Sequence, residues 1–160
     1  MPHIHDKIDF TVSVYIVCGD KVLIRYHDKA HQWIVPGGHI ELDEDPSQTV
    51  IKEVKEEVGL DIQIVADEVE QFSSPPGVDL GKMLPLPMAI NRHRMSPDHE
   101  HIDFVYAAKS DSMEIAPEEG EMNNPDHFRW ATAEELQAME DVFATTKYYG
   151  LTALKKVRNN

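Results

Sequence analysis

The sequence predicts an α+β or layered α/β/α domain, and three observations carry that prediction: early β-branched runs punctuated by turn residues, one well-signalled amphipathic helix, and a mixed order in which strands outnumber helices. Residues 10–18, FTVSVYIVC, and 21–26, KVLIRY, flank Gly19-Asp20 and read as a hairpin. WIVPGGHIEL follows, a short strand interrupted by Pro36-Gly37-Gly38. Asp45 suits a helix cap, Pro46 the first helical position and Gln48 the reciprocal capping-box partner, while Gly59 suits the C-terminal cap. The helix therefore spans about 46–58, with Val50, Ile51, Val54 and Val58 as its apolar stripe. DIQIVADEVEQF alternates loosely like a strand, and a Pro- and Gly-rich stretch then leads to a short apolar segment, MAIN. HIDFVYAA at 101–108 is a strand with Ile102, Phe104 and Tyr106 on one face and His101, Asp103 and Val105 on the other. An acidic loop over 114–127 precedes HFRW, which enters a helix capped by Thr132 and Glu135, and TKYYGLTALKKV reads as a terminal helix.

Composition bounds the function. The 160 residues fit one domain, 1–160, and 41% hydrophobic with 28% charged residues is ordinary globular usage. Fifteen basic against 29 acidic residues, a net charge of -14, argues against a nucleic-acid or anionic-membrane partner, because both require a positive field. Cys18, the single cysteine, excludes an intrachain disulfide. With no cationic leader and no apolar span of about 18 residues, cytoplasmic residence is expected. His3 and His5 read as a solvated terminal segment, since nothing nearby completes a ligand set.

KEVKEEVGL, residues 52–60, crowds Glu53, Glu56 and Glu57 onto one helical turn of an already acidic chain. Alone, the three read as a solvated helix face, because like charges at these spacings cost only about 0.2–0.5 kcal/mol per pair. Their surroundings change that reading. Gly38, Glu44, Lys52, Glu53, Val54, Glu56, Glu57, Gly59 and Leu60 stand at the spacings of the Nudix box, and the chain resembles the Nudix hydrolase family over residues 38–60. WIVPGG and FRWATAEEL also look like the family. Lys52 departs from the pattern, which has Arg there.

The resemblance implies the Nudix α/β/α sandwich, a mixed β-sheet between helices. It also implies a divalent-metal-dependent pyrophosphohydrolase acting on a nucleoside diphosphate linked to another moiety. Cancelling phosphate charge and positioning a water suit Mg²⁺, whose octahedral oxygen preference favours a few carboxylates plus substrate phosphates; Mn²⁺ can substitute. Glu53, Glu56 and Glu57 match the family's metal ligands, with a backbone carbonyl near Gly37 or Gly38 as a further one. Glu44 and Lys52 match its ion pair, where lysine keeps the charge but loses arginine's planar fork, so that some rigidity and activity are forgone. The general base falls to Glu53 or Glu56 in the box, or to the acidic loop, where Glu118, Glu119 and Glu121 are candidates for a further ligand or base.

Specificity is expected outside the box. Segment 73–87, with Lys82, is the candidate specificity loop; Trp33 and Phe72 could stack on a base or pack in the core; Arg25, Arg92 and Arg94 could counter phosphate charge. His99 and His101 of HEHID are read as hydrogen-bonding or phosphate-facing groups in preference to a zinc site. A small-molecule nucleotide, namely a (d)NTP or oxidised (d)NTP, is the expected substrate. ADP-ribose, to which Pro76 roughly 16 residues past the box weakly points, or a nucleotide sugar is the alternative. A non-catalytic nucleotide-binding Nudix domain would have degraded glutamates, and these are intact. An isopentenyl-diphosphate isomerase would need a catalytic cysteine, for which Cys18 is too early and too apolar in setting. A homodimer stays open because many relatives dimerise.

Overall fold

The computed structural model describes residues 5–67 and 76–159. Phe72, His3 and the start of segment 73–87 lie outside the described residues. The elements are β1 (Ile8–Cys18), β2 (Lys21–His27), β3 (Gln32–Ile34), β4 (Gly37–His39), α1 (Pro46–Val58), β5 (Gln63–Val65), β6 (Ala89–Ser96), β7 (His99–Lys109), β8 (Phe128–Thr132), α2 (Ala133–Ala138) and α3 (Ala144–Asn159). A 3₁₀ turn, Pro125–His127, leads into β8.

The strands form one mixed sheet whose axis is the long parallel pairing of β1 with β7, from Ile8 opposite Glu100 to Val17 opposite Lys109. On its other edge β1 takes β2 at the hairpin and β4 lower down, where Thr11 faces His39 and Ser13 faces Gly37. β2 continues to β3 and β8, and β7 carries β6 and β5 on its far edge. Period-two alternation divides the core. Val12, Val14, Ile16, Leu23, Tyr106 and Ala108 pack under Val50, Val54 and Val58 of α1. Tyr15, Val17, Val22, Ile24, Val105 and Ala107 pack on the opposite face with Ala153 and Leu154 of α3. The expected layered α/β/α arrangement is the observed one, and no helix among the described residues is long and apolar enough to cross a membrane.

Helix α1 starts and stops as its caps dictate. The Asp45 side chain accepts from the Gln48 amide while the Gln48 side chain accepts from the Asp45 amide, and Gly59 closes the helix at φ 72°. Two expectations need correction. Ile51 is 47% exposed, whereas Glu53 and Glu57 are buried beside the three valines. Positions 50, 53, 54, 57 and 58 form one helical face at spacings of three and four, so the carboxylates share the core-facing stripe. MAIN is also not a short isolated segment, because it opens the eight-residue β6, antiparallel to β7. Most of β6 is solvent-exposed, which removes the apolar alternation that would have marked it.

The acidic loop is fastened to the C-terminal end of α1. The Ala116 amide donates to Val58 O at 3.0 Å and the Glu118 amide to Glu56 O at 2.8 Å, filling carbonyls that the helix end leaves unpaired. A Cβ at Gly59 would lie 2.0 Å from Ala116 O. Gly59→Ala should therefore lower the unfolding free energy by about 2 kcal/mol or more, from left-handed backbone strain plus this collision, with the loss read from urea unfolding curves.

Candidate active site

The site begins with backbone held unusually close to a helix. A Cβ at Gly37 would meet Val12 O at 2.1 Å, and a Cβ at Gly38 would meet Glu53 Cδ at 2.3 Å. Two residues without side chains thus let β4 lie against both its neighbouring strand and the carboxylates of α1. The Gly37 amide donates to Glu57 Oε2 at 3.0 Å, and Arg25 Nη2 of β2 lies 2.9 Å from Glu57 Oε1. Both partners of that ion pair are largely buried. Arg25, read from the sequence as a counter-charge for phosphate, is held by Glu57.

Burial, followed by the neighbouring Glu56, pushes the Glu53 carboxyl up to about 7, with Glu121 and Glu44 adding to the effect and Lys52 opposing it. Burial likewise raises Glu57 to about 7 against the lowering influence of Arg25 and the Gly37 amide, while Glu53 and Glu121 add to the rise. A set of hard carboxylate oxygens on one rigid helical face fits a divalent cation of the Mg²⁺ or Mn²⁺ kind.

Glu44 and Lys52 form the expected pair, with Nζ 2.8 Å from Oε1. A third member carries no signal in the sequence pattern: Thr49, wholly buried, donates through Oγ1 to Glu44 Oε2 at 2.8 Å. One ammonium and one hydroxyl thus occupy the two oxygens that a guanidinium fork would engage alone. The Lys52 bond and then Thr49, against burial, hold Glu44 below its usual range.

The loop candidates separate. Glu121 acts electrostatically on both Glu53 and Glu57. Glu118 contributes its backbone to the helix end. Lys82 reaches Asp45, the cap of α1, at 2.7 Å, which ties the described part of the expected specificity segment to the start of the glutamate helix. Arg92 pairs with Glu100 on the exposed β6–β7 hairpin. Trp33 packs against the α3-side core with its ring on Tyr26.

His99 and His101 are not brought to the glutamates. They project from the other face of the sheet, with Asp9, Thr11 and Ser13 of β1 and His39 of β4. Gly38 meets Glu53, and its neighbour His39 meets His101, with ring centroids 5.1 Å apart. Burial, then the imidazoles of His39, His93 and His99, push His101 down to about 4, so it is neutral at pH 7.

The family model for the NUDIX domain matches residues 8–149, and the chain belongs to the Nudix family. A NUDIX-family hydrolase from Clostridium perfringens is 35% identical, with a TM-score of 0.77 over 93% of this chain and 97% of that one. An ADP-ribose pyrophosphatase from Streptococcus suis shares the fold at 18% identity, TM-score 0.56, over 94% and 92% of the two chains. A protein described as a probable DHNTP pyrophosphohydrolase, from Lactococcus lactis subsp. cremoris (strain MG1363), is 27% identical over 69% of this chain, which spans 60% of that relative's length.

Two outcomes test the site. Because Glu53 titrates near 7 in the fold against 4.5 ordinarily, ionising it costs stability as pH rises through that window. Glu53→Gln should therefore raise the Tm of the metal-free protein above pH 7 while abolishing turnover; a lowered Tm would show that the carboxylate is not strained. Lys52→Arg should leave activity unchanged or raise it, since Thr49 already fills the second oxygen; a large fall would give Lys52 a task of its own.

Proposed function

We propose that this Nudix hydrolase is a divalent-cation-dependent pyrophosphohydrolase, with a (d)NTP or oxidised (d)NTP as substrate. The observation that carries the reading is the intact carboxylate set of Glu53, Glu56 and Glu57, two of them buried against the diglycine strand. The pyrophosphohydrolase description of the Lactococcus lactis relative supports the same chemistry. Cytoplasmic residence rests on Cys18 being the single cysteine.

Glu53, Glu56 and Glu57 would hold Mg²⁺, with the Gly38 carbonyl as a further ligand and Mn²⁺ able to replace it. When bound, the cation supplies cancellation of charge on the non-bridging phosphate oxygens. The protein's own groups do the rest. Arg25 and the Gly37 amide fix the rotamer of Glu57; Lys52 and Thr49 fix Glu44 and, with it, the entry to α1. A carboxylate oxygen of Glu53 or Glu56, or of Glu121 from the loop, takes the proton of the attacking water. Water adds to phosphorus, the anhydride P–O bond breaks, and a nucleoside monophosphate and pyrophosphate leave.

Purified protein with Mg²⁺ should release pyrophosphate from a panel of (d)NTPs and oxidised (d)NTPs. Turnover of ADP-ribose or nucleotide sugars alone would move the substrate class, and turnover of nothing in the panel would overturn the enzymatic reading in favour of a nucleotide-binding domain. Glu121→Gln should lower turnover while Glu119→Gln leaves it intact; unchanged turnover in both would remove the loop from the chemistry.

A further inference from the structure

Four strands converge on a second polar centre that the glutamate chemistry does not use. The parallel register sets Asp9 of β1 directly beside His101 of β7, and His93 of β6 opposite the same residue. β4 brings His39 opposite Thr11, one step along the same face from Asp9. Asp9 is wholly buried, His99 and His101 are buried, and the His39 side chain is 13% exposed.

From this arrangement we propose a second metal site in which Asp9, His39 and His101 bind Zn²⁺ or a similar late first-row transition ion. Each residue offers one ligand atom, and these atoms all lie within 4.8 Å of one another. His39 Nε2 stands 3.2 Å from Asp9 Oδ2. Ligands at zinc bond lengths in a tetrahedral site are about 3.3 Å apart, so this pair already has the required spacing, and the third ligand must close by at most about 1.5 Å. The buried Nε2 of His101 has no hydrogen-bond partner among the described residues, an orphan that coordination would satisfy. Around the three ligands stands a supporting set. His99 Nε2 lies 3.2 Å from Asp9 Oδ2, and the His5 amide donates to Asp9 Oδ1 at 2.7 Å. Asp103, the nearby carboxylate, is engaged elsewhere, since its two oxygens accept from Thr11 and Ser13 at 2.8 Å each.

The donor set separates this centre from the glutamates. Two imidazoles and one carboxylate suit zinc and its neighbours and leave a fourth position open, whereas Mg²⁺ prefers an all-oxygen shell. The polar end of this face is otherwise hard to reconcile with core packing, because the same face a few residues along carries Tyr15, Val17, Val105 and Ala107.

The test uses the full chain with Glu53→Gln, which weakens the glutamate site. Zn²⁺ titrated by calorimetry should bind at one ion per chain, raise the Tm, and shift the imidazole NMR signals of His39 and His101. Adding His39→Gln or His101→Gln should lower the affinity at least ten-fold. His39 lies on a short strand and is the less buried of the two, so its variant keeps the test informative if His101→Gln unfolds. Binding that is absent, or that persists undiminished with His39→Gln in a folded protein, would overturn the proposal and leave the cluster as a hydrogen-bonded polar network. None of these three readouts depends on turnover.

Discussion

The close approach of α1 to the diglycine strand β4 is the constraint on which the rest depends. It forces Glu53 and Glu57 out of water, raises the cost of their charge, and requires that Arg25 and the Gly37 amide be in place on Glu57. A carboxylate on an exposed face would be free of this cost and would also be free to rotate. Burial here exchanges stability for a fixed set of oxygens, the usual signature of a site organised for an ion or a charged substrate.

The central pairing of β1 with β7 gives that arrangement its breadth. Because the pairing is parallel and ten residues long in register, each face of the sheet is a continuous surface from the polar end to the apolar end. The α1 face carries the valines and, at its edge, the glutamates. The α3 face carries a packed aliphatic half and a histidine-rich half. The acidic loop then crosses from the end of the sheet to the helix end, where its amides meet the last carbonyls of α1 and bring Glu121 near the cluster.

Much of this was legible in the sequence because it is local. The caps of α1 and α2 are fixed by residues three apart, and both capping boxes form as read. The Nudix spacing identified the glutamates, and the Glu44–Lys52 pair followed from it. What was not legible depends on contacts between distant segments. Arg25 of β2 finds Glu57 of α1 across the helix–sheet interface, Asp9 finds His101 through strand register across ninety-two positions of chain, and neither link leaves a periodic trace. β6 escaped for a different reason: an exposed edge strand can be polar on both faces and still pair. Ile51 shows the converse, since an apolar residue in a helical pattern need not face the core when two carboxylates occupy that stripe.

Strand β4 is three residues long, yet its middle glycine meets a carboxylate on one side of the sheet and its last residue meets imidazoles on the other. Side chains alternate along a strand with a period of two, so a single inserted or deleted residue there would exchange the two faces. A deletion would drive the His39 imidazole into Glu53, and an insertion would stand Gly38 where His39 now does. A change of length between Pro36 and Ile40 is therefore not tolerable, because counting residues there is equivalent to assigning each centre its side of the sheet.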